Sequence, residues 1–110
     1  MAGTDYAALI ARRLAELAAE DAAAAADRAT VELDQQSVGR LSRMDALQRQ
    51  AMAQATHRRR AQERTALMAA QTRLESGDFG WCAECGDAIE PARLRVNPAL
   101  VRCLECARGV

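Results

Sequence analysis

The sequence predicts a mainly α-helical chain. An antiparallel two-helix coiled-coil hairpin, with a long second helix, leads into a small four-cysteine minidomain. Three observations carry this. Alanine dominates the apolar half of the composition, while Trp, Tyr and Phe occur once each, so helix is favoured and a large globular core is not. Large apolar residues recur at helical spacing in two early stretches. All four cysteines fall after residue 80, as Cys82-Ala-Glu-Cys85 and Cys103-Leu-Glu-Cys106.

The first helix is expected over residues 5–21. Tyr6, Ile10, Leu14 and Leu17 follow one another at spacings of four, four and three, which makes one apolar stripe. Thr4 or Asp5 can cap its start. Residues 22–34 are expected to hold the reversal, because Asp27, Thr30 and Val31 weaken a helix that Ala22 to Ala26 could otherwise continue.

The second helix is expected from about Asp34 to Ser76, with Gly39 inside it. Ser76-Gly77-Asp78 provides a stop. Val38, Leu41, Met44, Leu47 and Met52 are its early apolar positions. From Ala53 to Ala66 there is no large aliphatic residue. A reversal near residue 28 sets Leu17 against Val38, Leu14 against Leu41, Ile10 near Met44 or Asp45, and Tyr6 near Leu47 to Arg49. The paired part is then roughly 25 Å long, and the second helix continues alone toward the cysteines.

Charge is neutral in total and uneven along the chain. Residues 1–37 hold three arginines against seven acids, residues 38–73 eight against two, and residues 74–110 four against six. Every basic residue is arginine, which reads first as a composition bias. No stretch of about 18 apolar residues suggests a membrane span. Met1 to Tyr6 has neither a basic n-region nor a long apolar stretch, so a reducing, cytoplasmic setting is expected.

Two C-x2-C turns aim four thiolates at one point, the tetrahedral sulfur cage that Zn(II) prefers. The alternatives are two disulfides, which need an oxidising compartment, and a redox dithiol, which needs only one pair. One structural zinc on Cys82, Cys85, Cys103 and Cys106 is the expected cofactor. A catalytic zinc would keep a position open, and four cysteines close the site, which leaves His57, the single histidine, without a ligand role. Gly86, just past the first turn, suits positive φ. Ile89, Leu94, Val96, Leu100 and Val101 supply a small cluster, too small to fold residues 77–110 without metal. No nucleophile–base set and no phosphate-cradling glycine loop is present, so an enzyme is not expected.

The run from Gly77 to Ile89, GDFGWCAECGDAI, followed by Arg93-Leu94, Pro98 and Cys103-Leu104-Glu105-Cys106, resembles the DksA/TraR C4 zinc-finger family of bacterial transcription factors. The resemblance implies a hairpin that enters the secondary channel of RNA polymerase, with acidic tip residues acting near the active centre, in some members together with ppGpp. The family's tip motif is D-x-x-D-x-A. Ala24-Ala25-Ala26-Asp27-Arg28-Ala29 keeps its second acid and its alanine, which makes Asp27 and Ala29 the tip candidates. Glu32 and Asp34, in Val31-Glu32-Leu33-Asp34, offer an alternative tip. A solvated turn with helix-capping acids explains the same residues. His57-Arg58-Arg59-Arg60 is the densest basic run, so Arg58, Arg59 and Arg60 could meet an acidic polymerase rim or a nucleotide phosphate, or simply face solvent.

Two other readings remain open from sequence. One is a DNA-reading finger, since GATA-type fingers share the approximate cysteine spacing, although only Ala107-Arg108-Gly109-Val110 follows Cys106 and the minidomain is net acidic. The other is a DksA-like chain that keeps the fold without regulatory activity.

Overall fold

The structure, a computed structural model, describes the backbone of residues 3–35 and 40–109, and the side chains of all of these except 28–35 and 40–42. The elements in order are α1 (Tyr6–Gln35), α2 (Arg40–Ser76), α3 (Pro91–Val96) and α4 (Leu104–Ala107). Among the described residues there is no strand beyond one isolated antiparallel bridge, Trp81 with Ala88. The chain divides into two compact units. One comprises Met1–Leu14 with Glu63–Val110, and the other Ala15–Gln62.

α1 starts where Asp5 Oδ1 accepts from the Ala8 backbone N–H at 3.0 Å, an N-cap bond. Its apolar stripe is the expected one: Ile10 and Leu17 are fully buried, and Tyr6 and Leu14 are half-buried. α1 then continues past the expected reversal to Gln35. The five alanines of 22–26 favour helix, no Gly or Pro interrupts, and Thr30 and Val31 each cost at most about 0.7 kcal/mol relative to Ala. The tip is therefore not at 22–34. Asp34 does not begin the second helix, and Gly39, expected inside it, lies outside the described residues.

Later reversal changes the register. Within the first unit, Arg13 Nε and Nη2 fork onto Glu63 Oε2 and Oε1 at 2.5 and 2.9 Å. Within the second, Arg60 Nε donates to Asp21 Oδ1 at 2.6 Å, with His57 Nδ1 at 3.4 Å from the same oxygen. Leu17, one turn back from Asp21, is fully buried; Val38, its expected partner, lies outside the described residues, as does the side chain of Leu41. The stretch 53–66 is thus paired with α1, contrary to expectation. Small side chains make this possible, because alanine lets two helices approach to the short end of the usual interaxial range. Ala46 and Ala70 are buried, while Met44, Leu47 and Met52, expected in the seam, are exposed.

α2 ends in a Schellman motif. Gly77 sits at φ +82°, and the Asp78 N–H reaches back to the Arg73 carbonyl at 2.9 Å. Leu67 and Ala70 are buried in the same unit as the cysteines. Tyr6, expected beside Leu47 to Arg49, instead packs on Phe79, with ring centroids 4.8 Å apart and planes tilted by 45°. The start of α1 therefore docks onto the cysteine-bearing segment.

The Arg13 side chain's hydrogen bond to Glu63 holds this carboxyl below its ordinary range, against a smaller opposing effect of burial. A lowered folded-state value stabilises above the unfolded-state value and loses that contribution as pH falls through the folded value. Glu63→Gln should accordingly be less stable than the parent at neutral pH, with the gap closing as pH drops below about 4. Urea unfolding at several pH values measures this. A gap that does not vary with pH contradicts it.

Candidate metal centre and the hairpin residues

The cysteine segment is built from short backbone ties. The Cys82 N–H donates to the Asp87 carbonyl at 2.7 Å, and the Gly86 N–H to the Cys82 carbonyl at 3.0 Å, which closes the first turn. Gly86 has φ +80°, as expected of the residue that ends such a turn. The Ile89 N–H reaches the Gly80 carbonyl at 2.8 Å, and the Ala83 N–H the Val101 carbonyl at 2.7 Å, which brings the second pair alongside the first. Cys103 is the N-cap residue of α4, so Cys106 lies on that helix facing back toward it. Pro91 begins α3, and Leu94 on α3 is buried. Ile89, Leu94, Cys82 and Cys103 form the core, with Tyr6, Phe79, Leu100 and Cys106 packed against it. Val96 and Val101, expected in this cluster, are exposed instead.

The four Sγ atoms lie within 4.8 Å of one another. Cys85 and Cys103 Sγ are 3.7 Å apart, and all four cysteines are free thiols. A disulfide would need roughly 2.05 Å. Four sulfurs at the usual Zn–S distance around a tetrahedral ion are roughly 3.8 Å apart along each edge, so the cage fits Zn(II). Electrostatics agree. Hydrogen bonds from the Cys85 and Cys103 backbone bring the Cys82 thiol down to about 6, against the effect of burial. The Cys103 and Cys82 thiols push Cys106 up. For Cys85, a bond from the Asp87 backbone lowers the thiol, but its Cys82 neighbour and burial outweigh it and raise it. The Cys82 thiolate forms readily, whereas Cys85 and Cys106 resist until a cation shares the cage. Bound zinc supplies the cross-link that this small core lacks.

The other candidates are not gathered at this centre. Asp27 is exposed on α1, and Ala29, Glu32 and Asp34 also lie in α1, with their side chains outside those described. Glu32 and Asp34 belong to its last turn, the end where the helix dipole disfavours carboxylates. The basic run splits. Arg60 has only 12% of its side chain exposed and pairs with Asp21, while Arg58 and Arg59 are exposed. Asp21, Arg13 and Glu63 were not foreseen. A signal existed for Asp21, since the stripe through Leu17 lands on it at the next step of four.

Stripping zinc with a strong chelator should collapse the amide chemical-shift dispersion of residues 79–106, and Cys103→Ser should lose the single bound zinc counted by elemental analysis. Unchanged dispersion in a zinc-free sample contradicts a metal-dependent fold.

Residues 77–110 match the family model described as the prokaryotic dksA/traR C4-type zinc finger. No curated protein matches by sequence. The solved structure of transcription factor DksA2 from Pseudomonas aeruginosa superposes with a TM-score of 0.80 at 22% identity, over 94% of this chain and 78% of that one. The cysteine cage and its glycine turns thus match the dksA/traR C4-type zinc finger over residues 77–110, and the long helices carry the fold seen in DksA2.

Proposed function

We propose that the chain is a DksA-like transcription regulator that binds RNA polymerase directly. Its hairpin enters the secondary channel and its far end acts near the active centre. The observation that carries this reading is the likeness of fold to a transcription factor over nearly the whole chain, hairpin as well as finger. The acids add support. Asp27 is solvent-facing, and Glu32 and Asp34 occupy a helix end that disfavours them, an arrangement that folding alone does not call for. Zinc has no chemical step in this reading. It folds the segment onto which Tyr6 docks, beside the buried end of α2.

A DNA-reading finger is less well supported. Such a finger needs arginines free to meet phosphates. Here Arg102 Nε lies 3.2 Å from Glu84, and Arg93 Nη1 lies 3.2 Å from Glu90 and donates to the Arg102 carbonyl at 3.0 Å.

The test is binding to core RNA polymerase, with competition by another secondary-channel factor, followed by transcription in vitro from a ribosomal RNA promoter with and without ppGpp. The parent should bind and alter output. Asp27→Asn should bind as well as the parent and lose most of the effect. Absence of core binding overturns the reading, and binding with unchanged output points to a chain that keeps the fold without regulation.

A further inference from the structure

α2 has a second face that α1 does not cover. Arg60 fixes which side meets α1, through its bond to Asp21. Ala46 and Ala53 precede it by whole heptads and share that seam, and Ala46 is 2% exposed. On the opposite side of the same turns, Met44, Leu47 and Met52 are 59%, 63% and 71% exposed. In these turns the helix therefore hides an alanine and shows larger apolar residues. Arg58 and Arg59 lie on this outward side too, roughly 9 Å along the axis beyond Met52. Arg59 Nη2 donates to Thr56 Oγ1 at 3.0 Å, a bond within its own helix.

An exposed apolar stripe ending in two guanidinium groups is more than folding requires. The three side chains, at i, i+3 and i+8, spread over one broad outer face of the helix, and methionine adapts to irregular apolar surfaces. Charge selects the occupant. From Arg43 to Arg59, four arginines accompany one acid, Asp45, so a second copy on this face would bring arginines together with little to offset them. A lipid surface would favour aromatic anchors, and this helix has none.

We infer that Met44, Leu47 and Met52, with Arg58 and Arg59 at the end of the stripe, dock into an apolar groove on RNA polymerase that carries carboxylates at one end. This rests on the polymerase reading above and names the surface that makes the contact. Asp27 is not part of it.

The test measures core-enzyme affinity for the full zinc-loaded chain, for Met44→Gln/Leu47→Gln/Met52→Gln and for Arg58→Gln/Arg59→Gln. Zinc content and thermal unfolding should match the parent in both variants, because none of the five side chains is buried. The triple variant should bind core enzyme at least about tenfold more weakly. The arginine variant should bind more weakly at low salt and show a flatter salt dependence. If the parent binds and both variants bind within about twofold of it, the inference fails and the polymerase reading stands. If the parent does not bind, both fail. Concentration-dependent dimerisation, or binding to phosphatidylserine vesicles, that the triple variant abolishes would assign the face to another occupant and overturn the inference.

Discussion

Two alanine-rich helices can slide past one another, and the polar pairs across their contact prevent this. Ala46 and Ala70 bury little area each, and neighbouring registers would bury nearly as much. Arg13 on Glu63 and Arg60 on Asp21 are satisfied in one register only. Partly exposed ion pairs add little net stability, but fixing register is the best-attested use of such pairs. The position of every other group in the hairpin follows. Ile10 and Leu17 face inward, Met44, Leu47 and Met52 face outward, and Asp27 lies on α1 well before its end.

The same economy of bulk shapes the cysteine segment. Ile89, Leu94 and a few half-buried neighbours make too small a core to order residues 77–110 without help. A tetrahedral ion provides the missing constraint, and Tyr6 on Phe79 ties the start of α1 to the result. Stability and action are thus assigned to different residues: the metal cage holds a fold whose working groups, in the function proposed, are on the helices.

Much of this was legible in the sequence where the signal was local. Paired C-x2-C turns, Gly86 at positive φ, the Ser76-Gly77 stop and the stripe Tyr6, Ile10, Leu14, Leu17 each depend on a few neighbouring residues. The reversal was not legible in the same way. Thr30, Val31 and Asp27 looked like helix breakers but are only mildly unfavourable, and α1 runs on through them. That displacement carried the register with it. Large side chains were then assigned to the seam and alanines to solvent, because periodicity reveals that a face exists and not which face the partner covers. Asp21 was hidden for a related reason, since a carboxylate in an apolar stripe is recognised only once Arg60 is known to be opposite.

Register is the central claim, and a double-mutant cycle between Asp21 and Arg60 tests it most directly. Asp21→Asn, Arg60→Gln and the double variant are compared with the parent by urea unfolding of the zinc-loaded chain. The account predicts a coupling energy above about 0.5 kcal/mol between the two positions, with the cycle for Asp21 and Arg43 near zero. Additive effects at Asp21 and Arg60, with coupling appearing at Arg43 instead, would mean that the helices meet in another register.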